Sequence, residues 1–138
     1  MMGSMKFLPT APDDAVCTQT LGKLCAELGP ESVNEFIGQF NALLPLRITR
    51  LDRASRLHDR GAGEDAALSL KSAATMAGAL GLAGLAFQLH EAFREGQGAM
   101  QRELIGRIEM AGSAILAVLD EPGFAERALR AYRASASA

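Results

Sequence analysis

The stretch Ala66–Glu91, AALSLKSAATMAGALGLAGLAFQLHE, decides the fold of this 138-residue chain. Its first half carries Ala67, Leu70, Ala74 and Ala77 at helical spacing, which makes one stripe apolar. Leu68, Ser72 and Thr75 occupy the opposite stripe, with Lys71 beside them. Gly78 and Gly81 then interrupt the pattern, since glycine is costly in mid-helix and favours a turn. Beyond them Leu82, Leu85, Ala86, Leu89 and Phe93 form a fresh stripe of period 3.6. The pattern predicts a helix, a tight glycine-centred turn and a second helix folding back, with alanines at the seam, as the centre of a helical bundle.

Composition agrees. A chain of this length suits one domain with a core of useful size. Apolar residues make up 49% of it and aromatics only 5%, which gives a core of Leu, Ala and Ile with a few Phe. An Ala-rich, Trp-free chain favours close-packed helices over a sheet. The formal net charge of −2, with no basic cluster interleaved with aromatics, argues against nucleic-acid binding. No run of apolar residues approaches the length that spans a membrane. Cys17 and Cys25 are placed on one helix, their Cα atoms about 12 Å apart and too distant for a disulfide. With no signal peptide evident in Met1–Pro12, a reducing cytoplasm is the expected location.

Outward from the hairpin, Asp13 or Asp14 is a candidate cap for a first helix that runs to about Glu27 and buries Val16, Leu21, Leu24 and Cys25. Gly29 ends it and Pro30 opens the next, where a missing N–H costs nothing. Glu31–Arg60 carries a long apolar stripe that includes Phe36, Leu43, Ile48, Leu51 and Leu57, and Pro45 is expected to kink or divide it. DRGAGE (59–64) and EGQG (95–98) read as loops. Leu104, Ile105, Ile108, Ala111, Ile115 and Leu119 mark a further helix that DEPG (120–123) stops. Phe124–Tyr132 reads as a short docking helix. The expected organisation is a disordered or expression-derived N-terminus (1–12), one helical domain (13–133) and a frayed tail (134–138).

The central stretch resembles the histidine-containing phosphotransfer (HPt) family. That family's core reads roughly Ala-His-x-Leu-Lys-Gly-Ser, then a Gly-Ala pair, then Leu-x-x-Leu-Ala-x-x-Leu. The matching residues here are Ala67, Leu70, Lys71, Ala73, Gly78, Ala79, Leu82, Leu85, Ala86 and Leu89, and the resemblance covers roughly residues 21–120. It implies an all-α, antiparallel four-helix bundle with additional terminal helices packed outside. The chain departs from the family at the residue that names it: Leu68 stands where the phosphorylated histidine belongs, and Ser72 replaces the glycine that follows. Leucine has no nucleophile, and the family's chemistry cannot occur there. The resemblance makes Lys71 an electrostatic aid to phosphoryl transfer and makes the small residues Ser72 and Thr75 the place where a receiver domain approaches. Leu68 would then be a central apolar contact.

His90 lies on the return helix, where the family often holds a Gln or Glu that reaches the phosphorylated histidine. An imidazole is itself a competent phosphoacceptor. As a lone residue, His90 equally reads as a polar neighbour of the Ala86–Leu89–Phe93 stripe, Lys71 as a solvated lysine, and Leu68 as an ordinary exposed leucine. His58 reads as a solvated surface residue. No zinc-ligand spacing, phosphate loop or Ser–His–Asp arrangement is present, so neither metal nor cofactor is expected, nor an ordinary hydrolase. Three functions remain open. One is a phosphorelay interaction module that docks a response-regulator receiver or a sensor histidine kinase without carrying phosphate at the usual site, through Leu68, Lys71, Ser72, Thr75 and His90. The second is a phosphocarrier with His90 as relocated acceptor. The third is a structural or dimerisation bundle outside phosphorelay.

Overall fold

The computed structural model describes residues 16–137, with side chains as far as Ser135. Six helices and no strand occur among the described residues: α1 Thr18–Leu28, α2 Pro30–Arg56, α3 Arg60–Met76, α4 Leu80–Arg94, α5 Gly98–Leu119 and α6 Phe124–Ser137. The protein is all-α.

Several boundaries differ from the sequence expectation. Helix α1 begins at Thr18 with Cys17 at its N-cap; Asp13 and Asp14, like the expected N-terminus 1–12, lie outside the described residues. Helix α2 runs undivided through Pro45. That proline sits on the exposed side, the Thr49 hydroxyl donates to its carbonyl at 3.0 Å, and Leu44 and Leu51 are buried on either side of it. One missing ladder bond is offset by burial along both halves. Leu43 and Leu57, read as core, are exposed, Leu43 on the rim of the buried stripe and Leu57 past the last helical turn. The segment DRGAGE is not a loop. The Asp59 carboxylate accepts the Ala62 N–H at 3.1 Å as an N-cap, and α3 starts at Arg60. Glycine is needed at 63 for contact, since a Cβ there would lie 2.3 Å from the Phe93 ring.

The central turn falls where expected, at Ala77–Ala79, all three residues buried. Only Gly78 provides the reversal, at φ 77°, and Gly81 lies inside α4. Ala79 N–H donates to Ala74 O at 2.8 Å and Gly78 N–H to Thr75 O at 3.1 Å, which satisfies carbonyls left open by the end of α3. The turn at 95–97 is one residue shorter than read, because Gly98 already belongs to α5. Helix α6 continues past Tyr132 to Ser137, through most of the tail expected to fray.

Contacts run from α2 to α3, α3 to α4, α4 to α5 and α5 back to α2, so these four close a ring. Helix α1 lies against α6, and both touch α2. Neighbours in the ring are antiparallel: Gly63 meets Phe93 and Lys71 meets Phe87, so partners fall along α4 as numbering rises along α3. Between α2 and α5 the same descent runs from the Leu44–Gly112 contact to the Ser55–Gln101 contact. Leu44, Leu51, Leu70, Leu82, Leu89, Leu104, Ile108 and Ile115 are fully buried at the centre, while Ile48 and Leu85 are only partly so. The core also encloses a polar chain. Ser55 Oγ donates to Gln101 Oε1 at 2.9 Å, and Gln101 Nε2 donates to Ala92 O at 3.2 Å, joining α2, α5 and α4.

Leu89→Ala should cost about 2–5 kcal/mol of stability in urea unfolding followed by circular dichroism, as for a fully buried leucine. Leu85→Ala should cost clearly less. Equal losses would contradict the burial described.

Candidate functional site

The residues singled out from the sequence lie on the outward face of the α3–α4 hairpin. On α3, Glu64, Leu68, Lys71, Ser72 and Thr75 recur at intervals of three and four, so they share the side away from the buried Ala67–Leu70–Ala74 stripe. Leu68 is 41% exposed. Lys71, Ser72 and Thr75 are exposed as well, and the Thr75 hydroxyl donates back to Lys71 O at 2.8 Å. On α4, Phe87 is 47% exposed and Lys71 Nζ stands 5.6 Å from its ring centroid, within cation–π range. Two large apolar side chains and one ammonium group thus stand above a floor of short polar residues.

His90 lies on α4 beside Phe87, the ring over which Lys71 stands. The neighbours of His90 are Glu64, one helical turn before Leu68, the adjacent Glu91, and Phe87, whose ring stacks on the imidazole at 6.4 Å. The side chain is only 16% exposed. Nε2 is 3.7 Å from Glu64 Oε1 and Nδ1 3.7 Å from Glu91 Oε2, both beyond hydrogen-bond length, and Nδ1 is buried without a hydrogen-bond partner among the described residues. Glu91 is further held by Arg94. A phosphoryl group approaching this imidazole would meet two carboxylates of like charge at close range.

Sequence reasoning found the α3 half of this face and missed Glu64 and Phe87. Phe87 carries a legible signal, because a large aromatic three residues before His90 falls off the Ala86–Leu89–Phe93 stripe and must point outward. Glu64 was hidden inside the segment read as a loop.

The free thiols lie elsewhere. At Cys17, hydrogen bonds from the Thr20 backbone N–H and hydroxyl hold the thiol below its ordinary range. Burial, with the nearby Glu126 charge, pushes the Cys25 thiol up, and Cys25 donates to Ala125 O at 3.4 Å. Among the described residues no group of three or more His, Cys, Asp or Glu is placed to hold a metal ion, and no helix is long and apolar enough to cross a membrane.

No family model, curated protein or solved structure matches this chain. Whatever is inferred about its function rests on the residues themselves and on their placement.

Iodoacetamide near neutral pH should alkylate Cys17 well before Cys25, since only the former is accessible and shifted toward thiolate. Peptide mass mapping over a time course reads this directly, and equal labelling in the folded protein would contradict it.

Proposed function

We propose that α2–α5 form an antiparallel four-helix bundle of the HPt type, with α1 and α6 as additional terminal helices, and that the protein is an interaction module of two-component signalling. It docks a response-regulator receiver or a sensor histidine kinase in the cytoplasm and carries no phosphate at position 68. The observation that carries this reading is Leu68, 41% exposed in the middle of the α3 stripe whose motif otherwise surrounds a phosphorylated histidine. The physical fit supports it. Ser72 and Thr75 are short enough to let a partner approach the helix closely. Leu68 and Phe87 supply apolar contact area, and Lys71, gathered over Phe87, is positioned to pair with the acidic pocket of a receiver. Such a module competes with true phosphocarriers, or holds a partner in one state, without entering the relay.

Titration calorimetry of the wild type against receivers and kinases of the source organism tests the reading. Leu68→Asp should weaken binding about tenfold or more, through lost apolar contact and repulsion from the receiver's acidic pocket. Leu68→His restores the missing nucleophile, and acid-labile phosphate should then appear on the chain after incubation with an autophosphorylated kinase and a receiver. No partner binding the wild type, or full affinity in Leu68→Asp, would end the docking reading. Acid-labile label on the wild type that His90→Gln removes would replace it with the relocated carrier.

A further inference from the structure

A second unpartnered surface runs along α2 at its seam with α3. Leu46, Arg50, Arg53 and Leu57 follow one another at intervals of four, three and four, and therefore stand in one row. The two leucines at its ends are 57% and 63% exposed. Between them, neither the Arg50 nor the Arg53 guanidinium has an ion-pair or hydrogen-bond partner among the described residues. One turn earlier, Arg47 donates through Nη1 to Ser69 Oγ at 2.5 Å, while its Nε is buried with no acceptor among the described residues. A buried donor left unpaired costs free energy, and adjacent unpaired cations repel. The intact protein carries both costs on the same seam.

The facing side of α3 is stripped to small residues. Ala62 and Ala66 oppose Arg53 and Arg50 across a pocket of 200 Å³, and Ser69 continues the line toward Arg47. The one carboxylate lining this pocket, Asp59, is already engaged with the Ala62 N–H. The seam is thus a trough with a low wall on α3, guanidinium groups along α2 and an exposed leucine at either end.

The geometry points to this seam as the docking site for an amphipathic acidic helix of a partner protein. Two carboxylates one turn apart on that helix would face Arg50 and Arg53, and apolar side chains beyond them would cover Leu46 and Leu57. From Leu46 to Leu57 the row rises about 16 Å, which matches three turns of a bound helix. Charge complementarity selects the occupant. A second copy related by a two-fold axis through this row would set Arg50 and Arg53 against their own images, which like-charge repulsion disfavours. This inference is independent of the α3–α4 docking face.

The experiment uses the full chain and a fluorescein-labelled peptide of about eighteen residues, long enough to hold helical structure. It carries two glutamates three residues apart, a leucine four residues beyond each, and alanine and glutamine elsewhere; a control replaces both glutamates by lysine. Fluorescence anisotropy should show binding of the glutamate peptide only, weakening about tenfold from low to high salt. The charge-reversed double variant Arg50→Glu/Arg53→Glu, at exposed positions and with unchanged helical signal, should lose the glutamate peptide and gain the lysine peptide. Leu68→Asp should leave binding as in wild type. The inference is overturned if the two peptides bind alike, if neither binds, or if charge reversal fails to swap the preference. It is equally overturned if sedimentation shows a dimer that the double variant dissolves, or if only phosphatidylserine vesicles engage the row.

Discussion

The Ala77–Gly78–Ala79 reversal is the constraint on which the other helices depend. It is fully buried, so its backbone groups need partners inside the protein, and they find them in Ala74 O, Thr75 O and the N–H of Cys17, which donates to Gly78 O at 2.7 Å. A Cβ at Gly78 would lie 2.7 Å from Cys17 O, so the close approach of the start of α1 requires the same residue that the positive φ requires. One position thereby sets the α3–α4 register and anchors the start of α1. From that register follow the seating of Gly63 under Phe93 and the lodging of Lys71 over Phe87.

Much of the fold was legible because Ala67, Leu70, Ala74, Leu82 and Leu89 obey a strict helical period, and period is what a buried stripe must have. The misreadings have separate causes. Gly61 and Gly63 suggested a loop, yet the second is a glycine so that an aromatic ring can rest on the helix. Pro45 suggested a break, but a single lost hydrogen bond is small beside the burial of Leu44 and Leu51. Leu43 and Leu57 fit a generous stripe and nonetheless face outward, because apolar type says less about burial than angular position does.

The candidate site divides in the same way. Leu68, Lys71, Ser72 and Thr75 were readable as an outward stripe, since exposure on a helix follows from the period of its buried side. The surroundings of His90 were not readable, because they depend on which turn of α3 lies opposite, and that is set by the depth of the Gly78 reversal. The register brings the imidazole against Glu64 of α3, while Glu91 flanks it on its own helix.

The buried chain from Ser55 through Gln101 to the Ala92 carbonyl bears on how the helices assemble. Leucine and alanine faces tolerate sliding by a turn, since one apolar layer resembles the next. An amide locked away from water does not. If α5 slipped by a turn against α2 or α4, the Gln101 side chain would remain enclosed with its donor and acceptor unmet, at about 1–3 kcal/mol for each group. That penalty applies to every misregistered arrangement and is absent from the native one. In a core built almost wholly from interchangeable aliphatic side chains, this short polar relay works as an alignment key, rejecting near-native stackings that the apolar contacts alone would accept.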